Sequence, residues 1–343
     1  MELREMLAAV APGTPLRDGL ERILSGRTGA IVVLGYNELV QSICSGGFEL
    51  DVEFTPARLR ELAKMDGAVI LDGTRIRRAN AQLLPDQTID SLETGMRHRT
   101  AERVSRQTGF PVISVSQSMR VITLYLGGAR YAIEGSDVIL FRANQALSTL
   151  ERYVARLNEV LTSLTALEIE DLVTVRDVVT AMQRVEMVSR IWDEADGYVT
   201  ELGTDGRLLN LQLEELVSGI GRDRALIGAD FLEADSEVVH TRMYALSAAQ
   251  LANPDDVARA LGFGAGELDT QITSRGYRLL SHIARLPESV AETIAAHAGS
   301  LQALLSYTVD DLQQIEGIGP YRARLVRDGL AQIAESAILE RRY

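Results

Sequence analysis

At about residue 145 the apolar side chains change period, which commits the chain to two unlike architectures laid end to end. Ahead of that point, short apolar runs alternate with helical patterns. Residues 30–34 read as a buried strand. Thr55-Pro56 supplies a helix N-cap followed by proline at the first helical position, and the helix runs on through Leu59 and Leu62. A second strand at 68–71 enters Asp72-Gly73, a hairpin pair whose residues tolerate positive φ, and the chain returns through Ile76 and Ala79 to Leu84. After a polar loop around Pro85-Asp86, a helix is expected over 97–107, closed by Gly109, and then strands over 111–116 and 121–125. Residues 1–142 are therefore expected to form a mixed α/β domain.

Beyond the switch, Leu147, Leu150, Val154, Leu157, Leu161, Leu164 and Leu167 follow steps of three and four, the seam of a long helix packed on another helix. Either a bundled spine that sets the distance between domains or an ordinary core-facing helix produces that spacing. Further helical patterns at 173–195 and 208–217 continue to about 270, so residues 143–280 read as an all-α connector. Over 281–343 the sequence repeats at a spacing of 30, with 287–299 aligning on 317–329, and each half reads as helix, tight turn, helix. Thr308, followed by Asp310 and Asp311, is a credible N-cap with an acidic first turn. The fold class expected is multidomain, α/β followed by all-α.

Charge and rare residues exclude several chemistries. Thirty-five basic against 48 acidic side chains leave a net charge of -13, so any contact with DNA must be a local patch, and a surface broadly attractive to anionic lipid is excluded. The single cysteine, Cys44, rules out intramolecular disulfides and cysteine-built metal sites and fits a reducing cytoplasm. Lys64 is the one lysine and stands between Ala63 and Met65, not in a glycine-rich turn, which excludes a Walker A loop. His98, His240, His282 and His297 form no close pair suited to zinc. Neither a signal peptide nor a membrane span is expected.

Two clusters in the first domain carry possible chemistry. In Gly95-Met96-Arg97-His98-Arg99-Thr100, two arginines flank a histidine at a helix start. Cations there oppose the helix dipole at about 0.3–1 kcal/mol each, a cost that a bound anion such as a polyphosphate removes. Some 30 residues earlier, Asp66-Gly67-Ala68 puts a carboxylate beside open backbone at a strand entrance, suited to a divalent metal or a sugar hydroxyl.

The pairing of Asp66-Gly67-Ala68 with Arg97-His98-Arg99 resembles the two signatures of the diadenylate cyclase family. Residues 80–85, 97–103 and 112–117 look like that family too. In the C-terminal repeat, Leu312, Ile315, Gly317, Ile318, Gly319, Ala323 and Val326 resemble the helix-hairpin-helix modules that grip DNA backbones without reading sequence. Gly317 and Gly319 would admit a phosphate to the amides of the second helix, with Arg322 and Arg324 beside it. Residues 286–343 hold five arginines against eight carboxylates, so binding would be weak and salt-dependent. The other reading is a repeat that packs only on itself or on a protein.

The resemblance implies condensation of two ATP into cyclic di-AMP with release of two pyrophosphates, in a site shared by two domains facing each other. It implies that Asp66 binds Mg²⁺ or Mn²⁺ and helps activate the 3′-hydroxyl, with Gly67 and Ala68 against the nucleotide. Arg97, His98 and Arg99 would hold the triphosphate, the backbone of Leu83 would contact adenine, and Thr100 and Ser116 would hydrogen-bond phosphate oxygens. The family usually has threonine where this chain has Met96, which leaves only a main-chain contact there. It further implies an octamer and a cyclase suppressed by branched DNA such as a recombination junction, in the cytoplasm and at the nucleoid when DNA-bound. Two rivals are a non-catalytic ATP-sensing DNA-binding oligomer and a different nucleotidyl transferase using the same pocket.

Overall fold

The computed structural model describes residues 3–264 and 266–340; Glu2 and the last three residues of the domain expected over 281–343 lie outside them. Contacts divide the chain into two compact units, residues up to Gln145 with Ala195–Gln212, and Ala146–Glu194 with residues from Leu213 onward.

In the first unit the order is α1 (Leu3–Ala9), α2 (Pro15–Ser25), β1 (Ala30–Leu34), α3 (Glu38–Ser42), β2 (Cys44–Ser45), β3 (Phe48–Glu53), α4 (Pro56–Leu62), β4 (Ala68–Asp72), β5 (Arg75–Leu83), α5 (Met96–Thr108), β6 (Val112–Ser116), β7 (Val121–Leu126) and β8 (Ala129–Ile133). The strands form one mixed sheet in the order β2-β5-β4-β1-β6-β7-β8, with β3 also paired to β5. Central β1 lies parallel to β4 and antiparallel to β6. It is buried on both faces, which is why it reads as an unbroken apolar run. Ala30 and Val32 face a core built with Leu20, Ile23 and Leu59, while Ile31 and Val33 face a second core with Val40, Ala101 and Val104. Helices thus cover both faces. Strands β2, β3 and β8, which the sequence did not announce, are short or largely exposed and carry little apolar patterning.

One irregularity shapes the site. The β4–β5 pairing slips between Ala68 and Ile70, and Asn80 on β5 takes φ +52°. Glycines flank that point: a Cβ on Gly67 would stand 2.6 Å from the Asn80 carbonyl carbon, and one on Gly47 would stand 2.5 Å from the Ala79 carbonyl oxygen. Only glycine at both positions lets three stretches of backbone approach this closely.

The remaining elements are helical: α6 (Ser136–Glu170), α7 (Val175–Leu202), a 3₁₀ turn (Gly203–Gly206), α8 (Arg207–Val217), α9 (Ile220–Phe231), α10 (Ser236–Tyr244), α11 (Ala248–Leu251), α12 (Pro254–Leu261), α13 (Tyr277–Ser281), α14 (Glu288–Ala298), α15 (Leu301–Ser306), α16 (Val309–Gln313) and α17 (Pro320–Glu340). Helix α6 starts at Ser136, ahead of the point where its seam becomes legible, and buries Leu147, Leu150, Leu157 and Leu164. In the second unit, Arg278 is fully buried against Glu168 of α6, and the Asp230 carboxylate accepts the amides of Tyr277 at 2.6 Å and Arg278 at 3.0 Å. The first turn of α13 is therefore capped from α9.

The C-terminal repeat exists, but its register is 32 and not 30. Starts of α13 and α14 precede those of α16 and α17 by that interval, and the buried residues Leu280, Ile283, Ala291 and Ile294 match Leu312, Ile315, Ala323 and Val326. Arg285, at φ +67°, takes the place of Gly317 at φ +82°. The first turn is thus Arg285-Leu286-Pro287, and residues 287–299 do not align on 317–329 as the spacing of 30 implies: core spacing sets the register, which a gapless match of side-chain types does not.

Candidate active site

Helix α5 begins without a side-chain cap. Its N-cap is Gly95, its first turn holds no acidic residue, and its first intrahelical bond of this kind is Arg99 N to Gly95 O at 2.9 Å. The amides of Met96, Arg97 and His98 are left to an outside acceptor. This helix start closes one side of a cavity of about 530 Å³ whose other walls are β1, the turn after β2, β4 and β5. Asp66, Gly67, Ala68, Leu83, Met96, Arg97 and Thr100 all line it, so seven of the residues singled out from sequence meet in one place.

Asp66 is the carboxylate among the lining residues; its side chain is 91% exposed and lies 3.0 Å from an Arg97 guanidinium nitrogen. Arg97 reaches that position across Gly29, where a Cβ would stand 2.2 Å from Nη1. An exposed ion pair of this kind adds little stability, so both groups can be redirected to a ligand at small cost. Leu83 pairs with Cys44 across β2 and β5. Met96 projects an 85% exposed thioether over the rim.

The other expected residues are not brought into the cavity. His98 is buried beneath the helix start, its Nδ1 2.8 Å from the Tyr125 hydroxyl. Arg99 donates from Nε to the Glu93 carbonyl at 3.2 Å, and Ser116 Oγ caps the turn by accepting Met119 N at 3.3 Å. The triplet Arg97-His98-Arg99 therefore divides by helical geometry, because successive residues point about 100° apart. Sequence reasoning missed Ser45, Gly46, Gly47 and Asn80, which also line the cavity. The adjacent glycines at 46 and 47 were a visible signal.

No group of three or more metal-ligating side chains occurs among the described residues. A lone carboxylate facing an open cavity suits an ion such as Mg²⁺ or Mn²⁺, which takes one or two carboxylates and completes its shell with water and substrate phosphate.

At the C-terminal end, α16 is capped by Thr308, whose hydroxyl accepts Asp311 N while the Asp311 carboxylate accepts Thr308 N. Gly317 and Gly319 have open space around them. Arg322 donates to the Gly317 carbonyl at 2.9 Å and Arg324 to the Pro320 carbonyl at 3.3 Å, both on the exposed side of the turn beside Tyr321, which is 69% exposed.

Residues 17–130 match the family described as DisA bacterial checkpoint controller nucleotide-binding, and residues 133–269 match the DisA bacterial checkpoint controller linker region. The DNA integrity scanning protein DisA of Kineococcus radiotolerans is 58% identical to this chain over 99% of it and 97% of that protein. The protein of the same name from Frankia alni is 58% identical over 98% of this chain and 97% of that protein. The chain belongs to the DisA family. The crystal structure of DacA from Staphylococcus aureus is also similar, at 23% identity over 39% of this chain and 90% of that one, with a TM-score of 0.32. In DisA terms, the sheet domain with the cavity is the nucleotide-binding region of a diadenylate cyclase-type checkpoint protein, and the helices from α6 onward include its linker. No described helix is long and apolar enough to cross a membrane.

Proposed function

We infer that the protein condenses two molecules of ATP into cyclic di-AMP and two pyrophosphates, with each nucleotide-binding domain supplying half of a shared site. The observation that carries this reading is the convergence of Asp66, Arg97 and the uncapped start of α5 on one cavity. Adenine would enter against Leu83, and the triphosphate would lie over the start of α5 within reach of Arg97 and Thr100.

The 3′-oxygen of one ATP attacks the α-phosphorus of the other, the bond from that phosphorus to the bridging oxygen breaks, and pyrophosphate departs; the hydroxyl proton leaves to a base. Both nucleotides react in the same way across a two-fold axis, which accounts for the ring. Asp66 would hold Mg²⁺ or Mn²⁺, which when bound would supply positive charge beside the reacting oxygens. Arg97 and the α5 amides stabilise charge gathering on the departing pyrophosphate. Gly67 and Ala68 leave the ribose room beside the Asp66 carboxylate. Facing domains require an oligomer, an octamer on the family's pattern.

The C-terminal hairpins would bind branched DNA through the Gly317–Gly319 turn, Arg322 and Arg324, and binding would suppress the cyclase, in the cytoplasm and at the nucleoid. Support comes from the left-handed Gly317 and the buried hairpin core. The functional parts would be 1–142, 143–280 and 281–343.

Separating the products formed from ATP alone tests the reading. A cyclic dinucleotide without any second substrate is expected. A linear product would select another nucleotidyl transferase, and unconverted but bound ATP would select a sensor. Product formation that persists unchanged at saturating junction DNA would remove the regulatory part.

A further inference from the structure

His98 sits in the first turn of α5, a place where polar side chains ordinarily face water, yet its ring is only 5% exposed. Its Nδ1 lies 2.8 Å from the Tyr125 hydroxyl, and that hydroxyl donates to Glu93 Oε1 at 2.8 Å. Arg130 stands 3.3 Å from the same carboxylate oxygen. A phenol has one proton and an ionised carboxylate can only accept, so the Tyr125 proton goes to Glu93 and its lone pair accepts Nδ1–H of His98. The network thereby assigns the imidazole tautomer, with Nε2 bare. Nε2 is buried and has no partner among the described residues.

The position of this chain of bonds is informative. Tyr125 is fully buried on β7, in the sheet floor under α5. Glu93 belongs to the segment that leads into Gly95, and the His98 ring edge lies 3.6 Å from where a Cβ on Gly95 would stand. Arginines along α5 pin the same segment: Arg99 to the Glu93 carbonyl, Arg103 to the Ile89 carbonyl at 2.8 Å and Arg106 to the Asp90 carbonyl at 2.9 Å. Three elements are tied together one residue from Arg97.

We propose that Glu93, Tyr125 and His98 are positioning residues that fix the first turn of α5 against the sheet, so that Arg97 and the free amides hold the phosphates in the reacting pose, while His98 itself does not touch nucleotide. The proposal rests on the nucleotide-site reading above. Phosphoryl transfer depends mainly on placement, and a group that acts through placement alters turnover more than ground-state binding.

Steady-state kinetics with ATP and Mn²⁺ on the full-length oligomer, together with equilibrium ATP binding, test it. Tyr125→Phe keeps the ring and deletes both bonds; kcat is expected to fall by about tenfold or more, with KM and Kd for ATP changed by at most about threefold. His98→Asn places an amide donor where Nδ1–H stood and should recover turnover to within about fivefold of the original chain, whereas His98→Leu should not. The two histidine variants differ chiefly in the donor, so they decide the matter even if Tyr125→Phe fails to fold. The proposal is overturned if His98→Asn is as inactive as His98→Leu with ATP affinity lost in both, which would put the ring on the nucleotide, or if Tyr125→Phe turns over normally. If the unaltered chain makes no cyclic product, the site reading fails instead, and the comparison is then made on ATP binding alone, where equal loss in both histidine variants still overturns the proposal.

Discussion

Replacing Gly67 by alanine should disable the site far more than it destabilises the fold. A Cβ at that position would stand 2.6 Å from the Asn80 carbonyl carbon and 2.7 Å from its Cα, against ordinary contacts of 3.4–4 Å. The backbone must therefore yield by roughly 1 Å, a displacement that can cost about a hundredfold in rate when it moves a reacting group. Asn80 cannot simply retreat, because Gly47 brackets the same stretch from the other side. Overpacking of this kind costs about 1–3 kcal/mol, a fall of roughly 2–4 °C in Tm per kcal/mol for a unit of this size. Gly73→Ala makes the comparison: it sits at φ +56° in open space at the far end of the β4–β5 hairpin, so it should cost about 1–2 kcal/mol in backbone strain and leave turnover intact. Thermal melts and cyclic di-AMP production from ATP read the two effects separately. If Gly67→Ala keeps turnover within about threefold of the original chain, the close approach has no bearing on the site.

Three further outcomes follow from other parts of the molecule. Arg97→Lys keeps the charge but not the planar fork, and should lower ATP affinity by about tenfold in an equilibrium binding assay; unchanged binding would place the triphosphate elsewhere. Gly317→Ala should abolish the DNA contact while costing only about 1–2 kcal/mol in stability, because its φ of +82° strains any L side chain though space around it is open; a gel-shift titration over several salt concentrations reads both the loss and the expected linear fall of log affinity with log salt. Burial outweighs the neighbouring Arg278 and raises the Glu168 carboxyl from its ordinary 4.5 to about 7. The folded state then holds that proton more tightly, so its stabilising contribution is full below about pH 4.5 and is lost as pH rises through about 7. Denaturant midpoints of the original chain should fall relative to Glu168→Gln across that window, and parallel curves would contradict the assignment.

What the sequence disclosed depended on whether a physical rule acts locally. Strand β1 was legible because burial on both faces leaves an unbroken apolar run, and α4 because Thr55-Pro56 is a local start signal whose hydroxyl does accept Arg58 N. Edge strands β3 and β8 were not, since exposure removes the alternation that marks a strand. Asp66, Gly67, Ala68, Leu83, Met96, Arg97 and Thr100 were found as motif members, and the fold gathers them. Asn80 and Gly47 were missed because their importance arises from a close approach between strands distant in sequence. The partition of Arg97, His98 and Arg99 among cavity, core and loop was hidden for a related reason: a three-residue motif does not tell which of its members the helix turns inward. The repeat was visible, but its true offset of 32 follows from which apolar residues meet in the hairpin core.

Asp66 and the start of α5 would together form half of a cyclising site. The most direct measurement is the amount of cyclic di-AMP and pyrophosphate released from ATP with Mn²⁺ or Mg²⁺ by the original chain and by Asp66→Asn, each shown to be folded, oligomeric and able to bind ATP. Two pyrophosphates per cyclic dinucleotide from the original chain, and neither product from Asp66→Asn, is the predicted result. Equal output from both, or bound ATP that neither converts, would contradict it.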